Sequence, residues 1–338
     1  MISVILPCYR AAIYLNNIAN DLICQDYTDF EAIFINDGDH QQDVILQEIV
    51  SRDSRFKTIW KENGGQSSAR NVGINIALGE WIVCVDPDDR IAPYYLNSLY
   101  NCVKDSNAEL GMGGYISTPR NSSKINEFLI DEDLCKRGIV SLAEFYNYIE
   151  DKTCFRSAWA KIYRRSIIQQ NNIRNDEKYI CAEDWKFNLD YFLVTKRVGL
   201  TRDCGYKYIT GNEQSSISAY VPDPVSARMI IIDKEEKVRR LIGRSEEVIA
   251  KQRKADTARL CYEIIKNMFC GRNHPNLRSS SRIIRDEIIS NKMIVEAIKG
   301  TPAVKTSDKI QKMILLTQNA WFIALAHKVL YFIHYGAK

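Results

Sequence analysis

Residues Asn63 to Ile91 read NGGQSSARNVGINIALGEWIVCVDPDDRI. The glycine pair Gly64-Gly65 makes a flexible turn, and Ser67 to Leu78 follows with apolar residues at helical spacing, Ser67 or Ser68 being the expected N-cap. Trp81 to Val85 is a short apolar run with the length of a strand buried on both faces. It ends on Asp86-Pro87-Asp88-Asp89, three carboxylates within four residues. Turn, helix, buried strand and acidic turn form one unit of a parallel α/β sheet, whose ligands lie beyond the carboxyl ends of the strands.

The same alternation extends outward. Ile2–Leu6, Glu31–Asn36, Phe56–Lys61 and Glu109–Tyr115 read as further strands, and Ala11–Cys24, Gln41–Arg52 and Ile91–Lys104 as further helices. A doubly wound sheet is therefore expected. Beyond residue 120 the pattern is mixed, with helices at Leu142–Glu150 and Glu183–Val194 and short strands at Val198–Arg202 and Tyr206–Thr210. From about residue 225 the chain reads as helical, over Met229–Ile242, Glu246–Met268 and Ser281–Ile298, with loops at Asn273–Asn276 and Gly300–Pro302.

Of the 338 residues, 46% are hydrophobic and 26% charged, the balance of a globular protein with a sizeable core. The ten cysteines form no CxxC pair and no HExxH accompanies the four histidines, so they read as small buried apolar residues rather than as a zinc centre. The opening Met-Ile-Ser-Val-Ile-Leu-Pro lacks a basic n-region, which makes a cytoplasmic location the expectation. Charge is unevenly spread. Residues 1–215 hold 24 Lys+Arg and 30 Asp+Glu, net −6, whereas residues 216–338 hold 22 and 12, net +10. The basic tail suits an anionic membrane face or simply a solvated helical surface. No aromatic-interleaved basic motif of a nucleic-acid module occurs, and a nucleic-acid partner is not expected.

The strand ends carry the candidate chemistry. Pro7-Cys8-Tyr9-Arg10 follows the first, Asp37-Gly38-Asp39 the second and Asp86 to Asp89 the fourth. No G-x-G-x-x-G and no P-loop is present. Clustered carboxylates repel unless a cation shares them, and an oxygen-only set suits Mg²⁺ or Mn²⁺. The competing reading is a plain turn with Asp89 capping a helix from Ile91. Asp37 is either a turn residue or an acceptor for a nucleobase N–H. Arg70, in the first turn of its helix, either holds a phosphate or sugar carboxylate or pairs with a neighbouring acid. Glu183 and Asp184 open a helix, where the dipole favours acids; one of them is also placed to serve as a general base.

Together these segments resemble the inverting family 2 glycosyltransferases of GT-A fold, of the type that builds bacterial surface polysaccharides. SVILPCYRA at Ser3–Ala11, IFINDGD at Ile33–Asp39, the block from Asn63 to Ile91, AWAKIYRRS at Ala158–Ser166, EDWKFN at Glu183–Asn188 and the serines of Ser215–Ser218 stand in the family's order. The resemblance implies a GT-A-like doubly wound, mostly parallel sheet over residues 1–218 and a basic helical region over 219–338. It implies a nucleotide-diphosphate sugar donor, expected to be a UDP-sugar, held by Pro7, Tyr9, Asp37, Arg70, Asp86, Asp88 and Glu183, with Asp86 and Asp88 on Mn²⁺ or Mg²⁺. Asp184 would be the base that takes the proton from an acceptor hydroxyl. The acceptor would be a glycan, lipid-linked if the tail meets the membrane. Asp39 stands where many members have Ser, and Asn36 where many have Asp.

The C-terminal stretch Ile310–Tyr335 is rich in apolar residues but too interrupted for a membrane span. An interfacial helix, packing onto the catalytic domain and a homodimer contact are the alternatives it leaves open. A catalytically silent scaffold of the same fold is the rival to an enzyme.

Overall fold

The computed structural model describes residues 1–338 except 105–106, 121, 179–181, 212–224, 270–273, 304–305 and 336–338. Ser215–Ser218 and the expected boundary at 218/219 lie outside the described residues. The chain divides into two compact units, Met1–Gly211 and Asn212–Lys338.

In the first unit the strands are β1 (Ile2–Cys8), β2 (Phe30–Asp37), β3 (Phe56–Lys61), β4 (Trp81–Cys84), β5 (Arg90–Ile91), β6 (Leu110–Met112), β7 (Tyr115–Pro119), β8 (Asn126–Phe128), β9 (Ile139–Ser141), β10 (Lys161–Arg164), β11 (Arg197–Leu200) and β12 (Tyr206–Thr210). Its helices are α1 (Ala12–Ile23), α2 (Asp43–Arg52), α3 (Gly65–Ile76), α4 (Tyr95–Lys104), α5 (Glu132–Lys136), α6 (Leu142–Ile149), α7 (Arg165–Gln170) and α8 (Glu183–Phe192). The main sheet runs β3-β2-β1-β4-β10-β6-β11-β9, and a second sheet runs β5-β12-β7-β8.

The fold is GT-A. The block β3-β2-β1-β4 is parallel, as the helix and strand alternation predicts. β1 and β2 are buried along their whole length, which is why they read as continuous apolar runs instead of alternating ones. α3 lies on β1 closely enough that a Cβ on Gly73 would come 2.5 Å from Ile5 Cγ2. Beyond β4 the sheet is mixed, because β10 enters antiparallel between β4 and β6. The strand expected over Glu109–Tyr115 is two strands. Gly113-Gly114 divides it, and the chain passes from the main sheet at β6 to the second sheet at β7.

The second unit contains α9 (Val225–Leu241), α10 (Glu246–Asn267), α11 (Leu277–Ile283), α12 (Lys292–Gly300), α13 (Thr306–Leu316) and α14 (Ala320–Tyr335). Its core is aliphatic, with Ile264, Ile265, Ile284, Ile288, Ile294 and Ile323 buried together. Arg239, 3% exposed, pairs with Asp256 at 2.6 Å and Glu235 at 3.5 Å. The single helix expected over Ser281–Ile298 is interrupted: a π-helical turn, Ile284–Ile289, follows α11, and Asn291 then caps α12 by accepting the Ile294 N–H at 3.3 Å.

Candidate active site

The carboxyl ends of β1, β2 and β4 bring together most of the acidic residues singled out in the sequence. Asp37, at the end of β2, is 2% exposed. Its Oδ1 accepts from Lys61 Nζ at 2.6 Å and Gly64 N at 2.9 Å, and its Oδ2 from Gly65 N at 2.8 Å. The start of α3 is therefore capped by a distant carboxylate. Ser67 and Ser68 do not cap it: the helix begins two residues earlier than its local sequence suggests, at Gly65, whose φ of +84° suits glycine. Gly38, at φ +78°, is equally constrained, since a Cβ there would lie 2.6 Å from Asn63 N.

Arg70 is the centre of the site. It is 1% exposed, projects from α3, and binds carboxylates from two other elements. Its Nη2 donates to Asp86 Oδ1 at 3.0 Å and its Nη1 to Asp184 Oδ1. Of the two readings left open for this residue, the acid pair is the one the geometry realises. Asp86 Oδ1 also accepts from Gln66 Nε2 at 3.0 Å, and Asp184 Oδ2 from Ala158 N at 3.2 Å. One planar guanidinium thus fixes the turn after β4 and the start of α8.

Burial raises the proton affinity of Asp184, while Arg70 lowers it. Its neighbour Glu183 is pushed up to about 7, by burial first and then by the Asp184 charge. Glu183 therefore keeps a proton in the folded chain at pH values where the unfolded chain has lost it. The contribution of Glu183 to folding stability is full below about pH 4.5 and is lost as pH rises through about 7. Glu183→Gln is expected to raise the melting temperature relative to wild type at pH 8 and to change it little at pH 4; equal differences at both pH values would contradict the assignment.

Asp86 and Asp88 do not share the role of Asp89. Asp89 is 2% exposed, and its carboxyl accepts from Tyr206 Oη at 2.5 Å and Ile209 N at 2.8 Å. Burial drives its pKa well above the usual carboxylate range. It caps no helix, because Arg90–Ile91 pairs with β12 as a strand and α4 begins only at Tyr95. Asp89 instead anchors the acidic turn to the second sheet, and Tyr206 Oη accepts the Asp86 N–H at 3.3 Å in the same contact. Tyr206→Phe should cost about 1–3 kcal/mol in urea unfolding, as a buried hydrogen bond to a carboxyl is lost. Asp88 is half-buried and lines a cavity of about 290 Å³ together with Tyr14, Pro87, Arg120, Lys207 and Ile209.

Pro7 is buried within β1, opposite Ile35 of β2, and Tyr9 is 47% exposed with the Arg10 guanidinium 5.2 Å from its ring centre. Asp39 accepts from Arg10 N at 3.1 Å and Gln41 N at 3.1 Å, linking the turns after β1 and β2.

Sequence reading missed the support behind Asp184. Lys161, on β10, is fully buried and donates to the carbonyls of Cys154 at 2.6 Å and Ser157 at 2.7 Å. Burial lowers its pKa to about 8. Asn188 holds the same loop through Phe155 O and Ser157 O, and Trp159 stacks on Tyr206 and Tyr208 at 5.0 and 5.2 Å. The loop that presents the Ala158 N–H is thereby fixed from three sides. A lone lysine among Trp159, Ala160, Ile162 and Tyr163 was the available signal.

Residues 3–171 match the family model described as glycosyl transferase family 2. The chain belongs to that family. Among curated relatives, this family 2 chain is 28% identical over 212 residues to the glycosyltransferase GlyA of Streptococcus pneumoniae, an alignment covering 61% of the chain and 30% of GlyA. It is 25% identical over 219 residues to the poly(ribitol-phosphate) β-N-acetylglucosaminyltransferase TarP of Staphylococcus aureus, covering 64% of each. The match thus spans less than two thirds of either relative. In fold, the family 2 chain superposes on S. aureus TarS 1–349, solved with UDP-GlcNAc, with a TM-score of 0.64 at 19% identity, covering 98% of this chain and 92% of that one.

Proposed function

We propose that the chain is an inverting glycosyltransferase that moves a sugar from a UDP-sugar to a hydroxyl of a glycan acceptor in bacterial surface-polysaccharide synthesis. The observation that carries this reading is the shared guanidinium: Arg70 holds a carboxylate from the strand-end turn and one from the start of α8 against a single group. The family 2 match, TarS with UDP-GlcNAc and the polymer-modifying activity in the name of TarP support a UDP-hexose or UDP-N-acetylhexosamine donor and a glycan or polyol acceptor.

Asp184 is the base. Its two oxygens are oriented by Arg70 and Ala158 N, and each carboxylate oxygen retains a second lone pair for an acceptor hydroxyl. Burial makes that carboxylate a better proton acceptor than an exposed aspartate. As the acceptor oxygen attacks the anomeric carbon, its proton passes to Asp184 and the diphosphate leaves from the opposite face. A single displacement needs one base and inverts the anomeric centre.

Among the described residues no group of three or more His, Cys, Asp or Glu gathers to hold a metal by itself. Asp86 and Asp88 nevertheless fit a hard divalent ion, which takes one or two protein carboxylates and completes its shell with water and substrate phosphate. They would hold Mn²⁺ or Mg²⁺, whose chemistry here is to neutralise charge on the leaving diphosphate. Tyr9, after β1, and Asp37, at the end of β2, are the residues proposed for the nucleoside, Asp37 being 2% exposed with both carboxylate oxygens already accepting from the protein.

A panel of UDP-sugars incubated with the chain and Mn²⁺ tests the reading. Release of UDP from one or two donors, faster with acceptor present, is expected. Donor binding without any UDP release would leave a silent scaffold.

A further inference from the structure

α14 has two unlike faces. Ile323 and Ala324 are fully buried and His327 is 8% exposed, its Nδ1 2.9 Å from Ile323 O, so one face belongs to the aliphatic core. On the other face Trp321, Phe322, Leu325, Val329, Phe332 and Ile333 are each 48–69% exposed. Their spacing of three and four residues makes one continuous stripe. Six large apolar side chains on one face form a patch that calls for a cover.

Charge separates a second copy from an acidic lipid surface as the cover. The unit Asn212–Lys338 holds 22 Lys+Arg and 13 Asp+Glu, net +9. A second copy would cover the stripe only by bringing two such units together. An acidic lipid surface covers the stripe and neutralises the charge. Residues 320–335 contain no carboxylate, and their one charged side chain, Lys328, is exposed beside the stripe. Sixteen residues span about 24 Å, short of the roughly 20 residues that cross a bilayer. Among the described residues no helix is long and apolar enough to cross. A helix of this length and polarity lies flat.

We propose that α14 is an interfacial helix that docks the chain on an anionic lipid surface, with Trp321, Phe322, Leu325, Val329, Phe332 and Ile333 inserted among the acyl chains. The proposal does not depend on the sugar chemistry, and vesicle binding is read without any substrate.

The test is sedimentation of the full chain with phosphatidylglycerol–phosphatidylcholine vesicles and with pure phosphatidylcholine vesicles. Binding to the first and much weaker binding to the second is expected. Raising salt from 0.1 M to 1 M, which shortens the screening length from about 10 Å to 3 Å, should release the chain. Lys328→Glu should weaken partitioning by about fivefold or more. The combined variant Phe322→Ser, Leu325→Ser, Val329→Ser and Phe332→Ser changes exposed positions only, so it should keep the wild-type circular dichroism and thermal melt and lose partitioning by more than about tenfold. Absence of binding to the acidic vesicles would overturn the proposal. So would wild-type binding by the serine variant, or a wild-type dimer that this variant converts to monomer while vesicle binding persists.

Discussion

Arg70→Met is expected to destabilise the chain by about 3–5 kcal/mol and to abolish transfer. Arg70 is 1% exposed, and the carboxylates it binds, Asp86 and Asp184, have side chains about one-fifth exposed. Removing the guanidinium leaves two like charges facing each other in a partly desolvated site, with the usual remedy of a raised pKa on one or both. Destabilisation should therefore be greatest near neutral pH and smaller in acid, where protonation relieves the repulsion. Arg70→Lys should recover only part of the loss, since one ammonium cannot fork between two carboxylates from different elements. Urea unfolding with UDP release checks both variants. A methionine variant within about 1 kcal/mol of wild type would show that the site does not depend on this ion pair.

Asp184→Asn is the second large effect. The amide still offers an oxygen to Arg70, but it cannot take a proton, and the Ala158 N–H loses its acceptor. The fold should survive with a cost of about 1–3 kcal/mol, while kcat falls by about 10²–10⁴. Donor affinity, measured by titration with UDP, should change little, because the role proposed for the residue is on the acceptor hydroxyl. Turnover near the wild-type level would remove Asp184 from the mechanism and direct attention to Glu183.

The parallel half of the fold is legible because β1, β2 and β4 are buried on both faces and its helices are short and periodic. β1 to β4 and α1 to α3 fall within a few residues of the positions their patterns indicate. What escapes is set by distant partners. β10 is four residues long, carries a lysine, a tyrosine and an arginine, and shows no strand periodicity; it is a strand because β4 and β6 pair with it from either side. The N-terminus of α3 has two serines available, yet Asp37, some 28 residues earlier, supplies the cap. In the acidic turn the local sequence offers Asp89 as a cap for a helix from Ile91, which the structure does not form there. The actual task of Asp89 comes from Tyr206 and Ile209, about 120 residues away, which bind its carboxyl. Local sequence indicates which residue types can do chemistry; tertiary pairing assigns each its task.

In the proposed mechanism Asp86 and Asp88 receive the donor diphosphate through a divalent ion, with Asp184 as the base. A crystal of the chain soaked with UDP and Mn²⁺ tests it most directly, through the anomalous scattering of manganese. One strong peak beside Asp88, with the diphosphate at the carboxyl end of β4, is expected. A diphosphate seated elsewhere, or bound at that strand end with no peak beside Asp88, would contradict it.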